Sequence, residues 1–151
     1  MIDIALSIVT LSIFGVVSFI DIKERRIPNR ITYPSILTIL IFLTGVGKFA
    51  HSGPEYSRAL IGLFFTFSLF LSLHIINPQG IGLGDVKLAA LLGLTLAWDS
   101  IDALIYGIFA IFIISGIYSL MLIIRNPKMI SGSIPFAPFM TLGYIIGIVL
   151  K

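Results

Sequence analysis

The chain has 151 residues, of which 58% fall in the hydrophobic classes, and it carries only ten Lys or Arg and seven Asp or Glu. A soluble domain has about 25% charged residues. The 11% found here, with a mean hydropathy of +1.10, excludes an ordinary soluble fold and a disordered chain. What remains is an all-α integral membrane protein, read over residues 1–151 as a single membrane-embedded domain.

Six apolar stretches follow in chain order: 4–20, 33–47, 59–76, 86–98, 103–124 and 134–150. Every charged residue except Lys87 lies outside them. Their continuous apolar character predicts helices rather than the alternating strands of a barrel. A bilayer core of about 30 Å needs roughly 20 helical residues, with about 17 as a lower limit. The second stretch reaches that limit if it runs on to Ala50 with Lys48 snorkelling to the surface. The fourth, with 13 residues, does not. It would rise only about 20 Å. The Gly-rich segment Asn77–Gly84 before it is therefore expected to enter the membrane as a re-entrant loop, its glycines using positive φ or close backbone approach.

Seven of the ten basic residues lie in or at the edge of the first, third and fifth loops: Lys23, Arg25, Arg26, Arg30, Lys87, Arg125 and Lys128. The bias predicts that these loops are cytoplasmic and both termini outside. It also accounts for the pI near 9.4 without a nucleic-acid partner. The basic cluster after the first stretch can meet acidic lipids. Tyr33 and Trp98 suit interfacial positions, and His51 and His74 read as interfacial polar residues. The absence of cysteine excludes disulfides, thiolate metal sites and cysteine nucleophiles.

Five of the acidic residues read as solvated charge, with Glu24 in a surface ion pair. Asp21 and Asp85 differ. Asp21 ends an unbroken apolar span, and Asp85 begins the fourth one. Ionisable groups at membrane depth are costly and tend to be functional. Two carboxyl groups on one side suit acid–base work without a metal or other cofactor, one charged and one protonated. They would equally suit a proton- or cation-coupled transporter, which is the alternative function. Asp85 at a helix start favours ionisation and Asp21 at a helix end disfavours it, so Asp85 is read as the resting base and Asp21 as the resting acid.

Three segments together resemble the type IV prepilin peptidase family, membrane aspartic proteases of the Gly-x-Gly-Asp type. The first is Asp21-Ile22-Lys23-Glu24-Arg25-Arg26-Ile27-Pro28-Asn29. The second is Gly82-Leu83-Gly84-Asp85-Val86-Lys87-Leu88. The third is Ile134-Pro135-Phe136-Ala137-Pro138-Phe139. The resemblance implies cleavage of prepilin or pseudopilin leader peptides at the cytoplasmic face of a bacterial inner membrane, with Asp21 and Asp85 as the catalytic pair. By the same match Gly82, Gly84, Lys87, Pro28, Asn29, Pro135 and Pro138 are supporting residues. Lys87 would tune the pair or snorkel to the interface. Pro28 and Asn29 would break the first helix, and Pro135 and Pro138 would shape the start of the last. Without the paired Cys-x-x-Cys motifs of larger members, methyltransferase activity is not expected. The Tyr-Asp and Pro-Ala-Leu motifs of presenilin-type proteases are absent.

Overall fold

A computed structural model describes residues 2–49, 53–125 and 134–151, with the backbone alone at 2–3 and 46–49. The described residues form six helices: α1 (Ile2–Glu24), α2 (Asn29–Phe49), α3 (Gly53–Ile76), α4 (Leu83–Asp99), α5 (Ile101–Arg125) and α6 (Ala137–Leu150). Each of the six apolar stretches contains a helix, in the expected order, although the last begins at Ala137 rather than at residue 134. Three segments are both long and apolar enough to cross a bilayer: Ile4–Glu24, Gly53–Ile76 and Ile101–Arg125. Their outward faces carry large exposed apolar side chains such as Ile8, Phe64 and Ile113. Water would penalise such a surface, whereas lipid accepts it. His51, Lys128 and Ala50 lie outside the described residues.

The fourth helix departs from its expected form in two ways. It begins at Leu83, so Gly84 and Asp85 sit inside its first turn, and it has 17 residues instead of 13. That lengthens it to about 25 Å. It is also the central helix, buried along almost its whole length from Asp85 to Trp98. A helix sheathed by protein has no need to match the bilayer with its own apolar run. The 13-residue count thus loses its force as an argument for a deep re-entrant loop. Central placement also removes Trp98 from the interface expected for it: only 4% of it is exposed. Tyr33, by contrast, is exposed.

Small residues allow α3 to approach α4 closely. A Cβ at Gly93 would fall on the Gly62 carbonyl and the Thr66 hydroxyl, and one at Gly62 would fall 2.5 Å from the Gly93 carbonyl oxygen. The Thr66 hydroxyl lies 2.8 Å from the Ala89 carbonyl oxygen of α4. Backbone-to-backbone contact of this kind drives helix association where lipid removes the hydrophobic term. The α5–α6 seam repeats it, with a Cβ at Gly147 reaching the Ala103 carbonyl oxygen at 2.5 Å. Gly116 of α5, by contrast, has open space around it.

The close α3–α4 seam makes a direct prediction. Gly93→Ala is expected to lower the unfolding free energy in mixed micelles by about 1–3 kcal/mol through overpacking. Gly116→Ala, which meets nothing, is expected to be neutral or to stabilise by up to about 1 kcal/mol.

Candidate active site

A cavity of about 520 Å³ opens at the end of the bundle where α1 stops and α2, α4 and α6 start. Asp21, Asp85, Gly82, Gly84, Lys87, Asn29 and Pro135 all line it. Three segments far apart in sequence thus meet at one opening. Pro28 and Pro138 lie beside it and act on the backbone.

Asp21 occupies the last turn of α1 and is only 5% exposed. The helix continues past it to Glu24 and stops at Arg25, whose φ of 50° is left-handed. The Arg25 N–H still donates to the Asp21 carbonyl at 2.8 Å, the usual closure of a left-handed helix end. The break therefore comes three residues before Pro28, earlier than expected. Pro28 instead immediately precedes α2, its carbonyl accepting from the N–H groups of Ile31 and Thr32 at 3.0 and 3.2 Å. Asn29 is the first residue of that helix.

The Asp21 carboxylate accepts the Ala137 N–H at 3.0 Å. Ala137 opens α6, and the sequence around it explains the arrangement. Phe136 precedes it and has no side-chain oxygen to cap the helix. Pro138 follows it and has no N–H to offer. Asp21 supplies the missing cap from another helix. One turn deeper, the Ser18 and Thr141 hydroxyls meet at 2.6 Å. Deeper still, the rings of Phe14 and Tyr144 stack at 5.4 Å. These three rungs run antiparallel and fix the register of α1 against α6.

Asp85 is 9% exposed and sits in the first turn of α4. Its carboxylate accepts the Gly82 N–H at 2.9 Å, reaching back to the residue that precedes the helix. None of the glycines described has a positive φ, so the expected left-handed turn is not used. Close approach is. A Cβ on Gly84 would stand 2.8 Å from the Ile27 Cβ, so glycine here lets the 25–28 link lie against α4. His74, in the last turn of α3, contacts the Ile81 carbonyl oxygen through Nδ1 at 2.7 Å.

Lys87 spans the cavity mouth. Its Nζ donates to Asn29 Oδ1 at 3.0 Å and lies 4.7 Å from the centre of the Tyr33 ring. It makes no salt bridge with either aspartate. Glu24 pairs with Arg26 at 2.7 Å on the surface, as expected. Among the described residues no group of three or more His, Cys, Asp or Glu stands together as a metal-binding cluster.

The dipoles of α1 and α4 alone do not separate the two aspartates into acid and base, because the start of α6 also acts on Asp21. Each carboxylate receives a backbone N–H at the start of a helix, α4 for Asp85 and α6 for Asp21. Both carboxylates line the same cavity, each with its own helix-start donor. Ser18 and Thr141 carry no sequence signal for the site, and Ile27 enters only as part of a motif. His74, expected to be an interfacial polar residue, instead contacts the segment before α4. The Pro-Phe-Ala-Pro run holds a usable local signal, since Phe136 offers no capping oxygen and Pro138 no N–H, which leaves the Ala137 N–H to be capped from elsewhere.

The type IV leader peptidase family matches residues 8–124. Over 126 residues the chain is 28% identical to a prepilin leader peptidase/N-methyltransferase of Aeromonas hydrophila, covering 83% of this chain and 42% of that one. It is 27% identical over 130 residues to leader peptidase HopD of Escherichia coli, covering 84% and 81% respectively. A prepilin leader peptidase/N-methyltransferase of Stutzerimonas stutzeri matches at 26%. The chain thus spans less than half the length of the first of these relatives. No solved structure matches.

The rung next to Asp21 can be tested without an activity assay. Thr141→Val keeps the shape and removes the hydroxyl, and is expected to lower the unfolding free energy by about 1 kcal/mol. Thr141→Ser is expected to stay within about 0.5 kcal/mol of wild type.

Proposed function

Because this chain belongs to the type IV leader peptidase family, we propose that it is a membrane aspartic endopeptidase acting on the leader peptides of type IV prepilins or pseudopilins. The observation that carries the reading is the meeting of Asp21 and Asp85 at one cavity, each held by a helix-start N–H. Its substrates are inferred from the names of the relatives.

In the proposed reaction, one aspartate is ionised and the other protonated. The ionised carboxylate takes a proton from water as the oxygen attacks the scissile carbonyl carbon. The protonated carboxyl donates to the carbonyl oxygen, which becomes a hydroxyl of a tetrahedral diol. Collapse of the diol breaks the C–N bond. The proton taken from water passes to the leaving amine, and the diol returns a proton to the second carboxylate. The pair ends as it began, with one shared proton, and titrates as a unit. Proteolysis alone is proposed.

The active site is placed at the cytoplasmic face of a bacterial inner membrane. Support comes from the basic residues, since Arg25, Arg26 and Lys87 line the same cavity and basic residues favour that side. On this reading both termini lie outside, all six helices cross the bilayer as one unit, and the 77–82 segment lies near the cytoplasmic headgroups.

Reconstituted protein mixed with a prepilin tests the proposal. Asp21→Asn and Asp85→Asn are each expected to reduce cleavage by at least about 1,000-fold while leaving thermal unfolding near wild type. EDTA is expected to change the rate less than about twofold. Cleavage at the wild-type rate by either Asn variant would sink the two-aspartate mechanism. Gly84→Ala, which pushes Ile27 and its link off α4, is expected to lower cleavage about 10-fold or more.

A further inference from the structure

We propose that His74 is a positioning residue for Asp85, acting through the peptide group between Ile81 and Gly82. The inference rests on the peptidase reading above. It starts from two contacts that share one peptide. His74 Nδ1 lies 2.7 Å from the Ile81 carbonyl oxygen. The Gly82 N–H donates to the Asp85 carboxylate at 2.9 Å. That carbonyl and that N–H belong to the same planar unit, so fixing one direction fixes the other.

A carbonyl oxygen only accepts, so the proton must sit on Nδ1 and the imidazole must donate. Donation to the carbonyl also polarises the peptide and strengthens its N–H as a donor. The rest of the segment restrains this peptide weakly. Gly82 has an extended backbone and no Cβ, and glycine crosses to positive φ at little cost. A coupled rotation about ψ of Ile81 and φ of Gly82 would swing the N–H away from Asp85. The upstream turn, where the Gly80 N–H meets the Asn77 side chain at 3.2 Å and the Ile81 N–H meets the Asn77 carbonyl at 3.3 Å, holds the preceding peptide but not this one. His74 does, from the last turn of α3, where the buried Phe70 ring one turn earlier anchors the helix.

The side chain that replaces His74 decides the test. Asn places its amide nitrogen near the position of Nδ1, whereas Gln reaches toward that of Nε2 and Leu offers no donor. The full chain is reconstituted in liposomes as wild type, His74→Asn, His74→Gln, His74→Leu and Asp85→Asn, and prepilin cleavage is followed with kcat and KM separated. His74→Leu and His74→Gln are expected to lose about 10- to 100-fold in kcat. KM is expected to hold within about twofold, and His74→Asn to keep kcat within about threefold of wild type. A His74→Leu enzyme at wild-type kcat overturns the inference, as does a His74→Asn enzyme no better than His74→Gln. The Asn and Gln comparison carries the test alone if His74→Leu does not fold. Inactive Asp85→Asn beside fully active His74→Leu sinks only the role of His74. Active Asp85→Asn sinks the peptidase reading itself.

Discussion

Two carboxyl groups buried at one cavity must be solvated by the protein. A carboxylate removed from water costs several kcal/mol unless donors replace its hydration. Here the donors are backbone N–H groups at the starts of two helices, Gly82 for Asp85 and Ala137 for Asp21. The bond to Ala137 joins α1 to α6, and the one to Gly82 ties α4 to the segment that enters it. A carboxylate that needs a helix start also decides where that helix can begin. The positions of α4 and α6 are thereby coupled to the pair they serve.

The remainder of the bundle keeps those helix starts in place. Gly62 against Gly93 brings α3 and α4 to backbone contact, and Thr66 bonds across the seam. Phe70 carries that order to the cavity, its ring 5.9 Å from Phe136 just before α6. Ser18 and Thr141 hold α1 and α6 one turn below the Asp21–Ala137 bond. At the mouth, Ile27 lies over Gly84 and Lys87 reaches Asn29 and Tyr33. The residues of the first two motifs therefore touch each other as well as the cavity. At the other end, Lys151 and Asp99 form an ion pair that ties the end of α6 to the end of α4.

Much of this was legible in the sequence because lipid imposes a simple rule. Backbone polar groups must be satisfied within a segment, so long apolar runs are helices and charges mark their ends. That rule located all six helices and singled out Asp21 and Asp85. It misjudged α4, because a count of apolar residues cannot tell a helix facing lipid from one enclosed by other helices. Trp98 was misplaced for the same reason. The site failed to be legible where a partner came from a distant segment. Nothing local to Asp21 indicates that its donor is Ala137, 116 residues away. His74 likewise carried no pattern, since its partner is a carbonyl oxygen that every residue possesses.

The sequence by itself determined the class of the protein, the helix order, the two candidate aspartates and the segments around them. These follow from composition and from local rules of helix and turn. Tertiary structure alone decided which donors hold each carboxylate, that α4 is the central helix, and that the acid and base roles are not set by the dipole of a single helix. The physical reason is that electrostatic and packing energies depend on distance in space. A helix start 116 residues away acts on Asp21 as directly as its own last turn.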